Sequence, residues 1–290
     1  MRQYDKVFPE FRPDYFWGDG TSRVTGREYT GMIESGCFVR GEISCDSCHS
    51  MHESDPNDQL AVERDGDEAC LQCHSQLADR VEEHTHHPST SSGSRCYNCH
   101  MPNTTYGLLS MTRSHRIDIP SAVENVRTGK PNACNLCHVD RTLTWADEHL
   151  VDWYGGATSE FTEEEREVPA AALWLLKGDA VQRAVAAWHM GWDPAVEASG
   201  RIWQPQLLAR TLDDPYAAVR YLAERSLRKF PGHVDFAYDF TQPAADQAEF
   251  VQAALVRART GLDPGSDAFS TALVERLRAE RDNSPRFIRE

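Results

Sequence analysis

The chain has 290 residues, a formal net charge of −15, and 40% hydrophobic and 26% charged residues. That balance describes a globular chain of one large or two ordinary domains. It excludes nucleic-acid binding through a basic face, and no apolar run approaches the roughly 18 residues of a membrane span.

Residues 1–44 hold many aromatics and glycines: Phe8, Phe11, Tyr15, Phe16 and Trp17, then Gly18, Gly20, Gly26 and Gly31. Neither a strand nor a helix period persists, so an irregular, loop-rich N-terminal segment is expected. The opening Met1-Arg2-Gln3-Tyr4-Asp5-Lys6 does not lead into an apolar signal core. Cys37 is expected to be a small buried hydrophobe, since every other cysteine belongs to the motif that follows.

Residues 45–138 repeat one pentapeptide four times: Cys45-Asp46-Ser47-Cys48-His49, Cys70-Leu71-Gln72-Cys73-His74, Cys96-Tyr97-Asn98-Cys99-His100 and Cys134-Asn135-Leu136-Cys137-His138. C-x-x-C-H is the attachment pattern of c-type haem: two thiols add to the vinyl groups of one porphyrin, and the next imidazole reaches the iron from the same side. A zinc site or a redox dithiol would use C-x-x-C, but neither requires histidine after every second cysteine. Four covalent haem c groups are therefore expected. Cys45, Cys48, Cys70, Cys73, Cys96, Cys99, Cys134 and Cys137 would attach them, and His49, His74, His100 and His138 would be the proximal ligands. Such attachment takes place outside the cytoplasm, so a periplasmic or extracellular location is expected, with the chain written without its signal or as a fragment of a longer protein.

Short helices are expected to carry the motifs, with Asp67 to Gln76 and Asp79 to His87 as candidates, the latter ended by Pro88. Ser89 to Ser94 reads as a polar loop. Distal ligands are sought among the remaining histidines, because Met51, Met101 and Met111 stand in no ligand pattern. His52 follows His49 by three residues and would turn towards a neighbouring haem. His84, His86 and His87 cluster before the third motif, where adjacent side chains diverge and could serve two haems. His115 follows the third motif between Arg113 and Arg116, which suit propionates, and His149 lies on the exit helix. His189 and His233 are expected at surface or packing positions.

From Leu143 the pattern turns helical. Thr144 is the expected N-cap of a helix ending near Tyr154-Gly155-Gly156, followed by an acidic linker, Glu163 to Glu167. Residues 168–290 read as amphipathic helices of 10–15 residues. Arg183-Ala184-Val185-Ala186 and Arg220-Tyr221-Leu222-Ala223 lie 37 residues apart, with Met190 matching Leu227 and Leu175 matching Leu212. Asp213 to Arg220 resembles the turn and second helix of a HEAT repeat. In that register Val219, Leu222, Ala223 and Leu227 face the stack, Arg220 points out or braces the turn, and the residues beyond 245 supply a third repeat or cap. An ordinary helical bundle is the alternative.

The C-x-x-C-H-x-x-H at 45–52 with the second motif at 70–74 resembles the doubled C-x-x-C-H module of multihaem cytochromes. Cys99-His100-Met101-Pro102, Tyr106-Gly107, His115 and Pro120 are similar to a segment of the ammonia-forming pentahaem nitrite reductases and related multihaem cytochromes. That resemblance implies that His115 is a distal ligand. The C-x-x-C-K haem of those reductases does not occur here, which speaks against nitrite reduction.

The expected fold is mainly α: a loop-rich tetrahaem cytochrome c domain at 1–155, then an α-helical HEAT-like repeat domain at 156–290. The expected function is electron transfer through four mostly bis-His haems, with the repeats docking a redox partner such as another cytochrome or a membrane electron-transfer complex. The alternative is a haem enzyme acting on a small nitrogen or sulfur compound at one open iron.

Overall fold

The computed structural model describes residues 12–52, 54–259 and 269–286, which leaves Phe8 and Phe11 outside. The described chain is mainly helical, with one two-stranded sheet and no helix long and apolar enough to cross a membrane.

The motif-bearing stretch has little regular structure. Its helices are short: single turns at Glu28–Met32, Gly36–Arg40, Glu68–Leu71, Val81–Thr85, Cys96–His100 and Ala133–Cys137, and the seven-residue Ala122–Thr128. The expected helix from Asp67 to Gln76 is broken after Leu71, and a tight turn at Ser75–Leu77 follows. Val81–Thr85 ends at His86, not at Pro88, because His86 takes a left-handed conformation (φ 55°) with its amide on the Glu82 carbonyl. No Ala, Val, Leu, Ile, Met or aromatic side chain described between Met32 and Tyr106 is buried. A stretch of that length without its own apolar core must draw its burial from another source. Cys37 is half-buried in Gly36–Arg40, less enclosed than the sequence suggests.

A hairpin interrupts the helices. Strand β1 (Thr105–Gly107) pairs antiparallel with β2 (Ser110–Thr112) in the register Thr105↔Thr112, Tyr106↔Met111, Gly107↔Ser110. Buried Tyr106 also bridges to Val24, anchoring the N-terminal segment.

The long helix spans Leu143–Tyr154, and its cap is Thr142, not Thr144: the Thr142 hydroxyl accepts from the Trp145 amide at 3.2 Å. The expected acidic linker is a helical turn, Glu163–Glu167, closed by a Thr162/Glu165 capping box. The helices Ala170–Leu176, Ala180–Met190, Asp193–Ser199, Gln204–Ala209, Ala217–Leu227, Ala248–Arg259 and Thr271–Ala279 follow, several shorter than expected. Ala180–Met190 packs against Ala217–Leu227, and the 37-residue correspondence is buried on both sides: Leu175 with Leu212 and Met190 with Leu227. Val219, Leu222 and Ala223 are buried with them. Arg220 does not point out; its guanidinium donates to the Asp214, Pro215, Phe240 and Gln242 carbonyls and braces two turns. Arg183 is fully buried, with both Nε and Nη2 on the Asp214 carboxylate. His189 and His233 are buried rather than superficial.

One hydrophobic core joins the two halves. Trp17, Tyr106, Met111, Leu136, Val139 and Leu143 belong to the same cluster as Trp174, Val185, Leu207, Leu222 and Leu277. Polar ties cross the same boundary: buried Arg23 donates to both Asp179 oxygens, and Gln182 Nε2 donates to the Gly129 carbonyl at 2.8 Å.

Candidate haem-binding centre

Each motif folds so that its three reactive groups share one side. The His49, His74 and His138 amides donate to the carbonyl of the first cysteine of their own motif at 2.8–2.9 Å, and Cys96–His100 is itself a helical turn. One such turn gathers the two thiols and the following imidazole, as the chemistry of attachment requires.

Intervening residues fix the motifs to the chain. Buried Asn98 donates to the Ser92 carbonyl and accepts from Arg113, while buried Asn135 donates to the Arg141 and Thr142 carbonyls. Asn132 caps the fourth motif, and Ser199 Oγ donates to the Cys137 carbonyl from the helical half. Asp67, just before the second motif, accepts from the Cys96 amide at 2.8 Å and so joins the second motif to the third.

The attachment points adjoin in chain order. The Cys70 and Cys96 thiols are close enough to shift one another, Cys70 downwards and Cys96 upwards. The Cys48 thiol is raised by burial and by neighbouring Cys70 and Cys73. Burial pushes Cys99 up to about 11; burial and the approach of Cys99 push Cys134 and Cys137 up to about 12. Among the described residues no group of three or more His, Cys, Asp and Glu stands in a metal-binding array.

Three of the four motif histidines face a histidine from outside the motifs. The ring centroids of His49 and His115 are 6.1 Å apart, those of His100 and His84 6.2 Å, and those of His138 and His87 6.0 Å, with interplanar angles of 23°, 7° and 33°. Two imidazoles bonded to one metal at about 2 Å from each nitrogen hold their centroids about 6 Å apart. The tautomers agree. Nδ1 of His49, His100, His115 and His87 lies 3.1, 2.7, 3.1 and 2.6 Å from the carbonyls of Asp58, Asp118, Arg113 and Thr85 respectively. A carbonyl only accepts, so each Nδ1 carries the proton and each Nε2 keeps its lone pair for a metal. Burial lowers the pKa of His84, His115 and His138, which favours the neutral, ligating form. Donor set, tautomer and spacing fit haem iron.

The other histidines are placed differently. His74 and His52 are both exposed, and among the described residues no imidazole ring faces His74 at this spacing. His86 lies flat on Trp153, with centroids 4.1 Å apart and planes 10° from parallel. His149 sits between Trp145 and Trp153, its Nδ1 on the Trp145 carbonyl.

The bonds by which several residues hold these rings escape a reading of the sequence. Arg113 donates to the Tyr97 and Met101 carbonyls and to Asn98, and stacks over Tyr97 at 4.1 Å. It thus staples the His115 loop to the third motif. Arg116 is held by the Asp19 carbonyl and Asp118. Ser35 Oγ donates to the His115 carbonyl and accepts from the Ile117 amide. Gly31 and Gly93 lie directly against the His115 and His87 segments. The one available signal was the spacing of Trp145, His149 and Trp153, which puts three aromatic rings on one helix face.

A family model described as a doubled CXXCH motif matches residues 38–79. No curated protein and no solved structure matches the chain. The doubled motif marks residues 38–79 as a c-type haem-binding segment of the multihaem cytochrome kind, with haem c covalently bound and electron transfer as the activity it suggests.

Proposed function

We propose that the chain is a tetrahaem c-type cytochrome carrying electrons through a row of mostly bis-His haems. The observation that carries this reading is the threefold pairing of a motif histidine with an outside histidine about 6 Å away: His49 with His115, His100 with His84, His138 with His87. Cys45/Cys48, Cys70/Cys73, Cys96/Cys99 and Cys134/Cys137 hold the four groups. For the iron of His74 the candidate left is His52, three residues after His49 and exposed as His74 is. His86 and His149 support the ligands without being ligands.

Haem c supplies the one-electron couple at iron when bound. The chain's residues would hold each iron between two imidazoles; backbone carbonyls set the proton of His49, His87, His100 and His115 on Nδ1, and the closed pairs would keep substrate-sized molecules off the iron. An iron closed on both sides exchanges electrons without binding a substrate, which favours a carrier over an enzyme. Residues 1–155 form the cytochrome part of an exported protein. Residues 156–290 form HEAT-like repeats that back the fourth motif and offer a docking face to a redox partner such as another cytochrome or a membrane electron-transfer complex.

The test is turnover. The reduced holoprotein should be reoxidised quickly by a second cytochrome and should consume neither nitrite nor hydroxylamine. Steady consumption of either, with the compound bound to one iron, would favour the enzyme reading.

A further inference from the structure

His84 and His87 are three residues apart yet face two different motif histidines, His100 and His138. In an unbroken helix, positions three apart share a face and would address a single iron. The separation is made by His86, whose φ of 55° ends Val81–Thr85 and swings His87 away. A residue with a β-carbon adopts this conformation only when its surroundings hold it there. The ring of His86 lies 4.1 Å above Trp153, nearly parallel. The next residue of the long helix, Tyr154, donates its hydroxyl to the His84 carbonyl. The end of Leu143–Tyr154 therefore grips the segment 84–87 between its two iron-facing rings.

We propose that Trp153 is a positioning residue for both distal imidazoles, so that His84 and His87 are held as one unit by the Trp153–His86 contact and are gained or lost together. Sixth-ligand exchange at the third and fourth haems is thereby coupled, while the His49–His115 pair, which rests on Gly31 and Ser35, is independent of it. The inference rests on the bis-His reading above.

The test uses the full-length holoprotein, with carbon monoxide as the probe of open ferrous irons and low-temperature electron paramagnetic resonance as the count of low-spin ferric haems. His84→Ala and His87→Ala are references, each expected to open one iron; if neither does, the bis-His reading itself fails. Given those references, Trp153→Ala and His86→Ala should each raise carbon monoxide uptake by two per chain and remove two low-spin signals. The double variant should lose no more than either single one, because both act through one contact. Trp153→Phe, which keeps a flat ring, should restore the low-spin state. His86 is exposed, so its replacement leaves the core intact and decides the matter even where Trp153→Ala loses helix by circular dichroism. An unchanged low-spin count in His86→Ala, the opening of one iron alone, or additive losses in the double variant would overturn the proposal.

Discussion

The imidazole of His87 rests on the backbone of Gly93: a β-carbon built at Gly93 would lie 2.2 Å from His87 Cδ2 and 2.6 Å from Cγ. A free surface ring could turn aside; this one is tied to the Thr85 carbonyl and, on the bis-His reading, would also be held by an iron. Gly93→Ala should therefore displace His87. Because the clash falls on ring atoms alone and leaves the Trp153–His86 contact that holds His84 in place, the expected result is one high-spin haem with all covalent attachments kept, and a stability loss of about 1–3 kcal/mol typical of overpacking. Spin state by electron paramagnetic resonance and a denaturant midpoint check it.

Gly31 plays the corresponding part for His115. A β-carbon there would stand 2.8 Å from the Arg116 amide nitrogen and 3.0 Å from the His115 carbonyl carbon, both backbone atoms. Backbone yields less readily than a side chain, so Gly31→Ala should withdraw His115 from His49 and open that iron. His115→Ala should give the same high-spin signal with less loss of stability, since it removes the ring without moving the chain. An unchanged low-spin spectrum in both variants would remove His115 from the ligand set.

The four C-x-x-C-H motifs can be read from the sequence because covalent chemistry fixes their spacing, and resemblance to multihaem cytochromes singles out His115, which the fold sets facing His49. The choice among His84, His86 and His87 cannot be read there. It depends on a single left-handed residue that is not glycine, and on a tryptophan nearly 70 positions away. The roles of Gly31 and Gly93 were hidden for a similar reason, because close approach to a ring leaves no periodic mark. In the helical half the apolar register of Val219, Leu222 and Leu227 could be read, since burial follows the 3.6-residue period. The burial of Arg183 and Arg220 could not, because a charged residue enters a core only where partners from distant turns meet it.

Arg23 and Asp179 tie the segment before the first motif to the N-terminus of Ala180–Met190, with both side chains almost wholly buried. Burial alone would raise the Asp179 carboxyl, but the Arg23 guanidinium and the Gln182 amide outweigh it and hold its pKa below the ordinary range. Removing one partner weakens the compensation of a buried charge, with Arg286 3.5 Å from Asp179 as a second counter-ion. Arg23→Met or Asp179→Asn should each cost less by denaturant unfolding than the roughly 3–5 kcal/mol of a broken isolated pair, and the double variant much less than their sum. Additive single-variant losses would show that the pair is not coupled.

His189 makes acid stability testable. Its Nδ1 is bonded to the Val185 carbonyl, its Nε2 is buried without a partner among the described residues, and burial pushes its pKa down from 6.5 to about 3. The folded chain keeps this ring neutral while the unfolded chain protonates it below 6.5. Its contribution is therefore fully present above about pH 6.5 and is lost as the pH falls towards 3, at up to about 1.4 kcal/mol per pH unit. His189→Phe should flatten the acid limb of the stability curve over that interval without altering the haem spectra. An acid limb identical to that of the unsubstituted chain would contradict this assignment.

The central claim is that the outside histidines close the irons held by the motifs. Near-infrared magnetic circular dichroism of the oxidised holoprotein, exported with a maturation system and scaled to covalent haem by intact mass, tests it most directly. Four haem masses, with bis-imidazole intensity amounting to at least three haems per chain, is the predicted result. A chain without covalent haem, or one whose spectrum is dominated by five-coordinate or water-ligated iron, would contradict it.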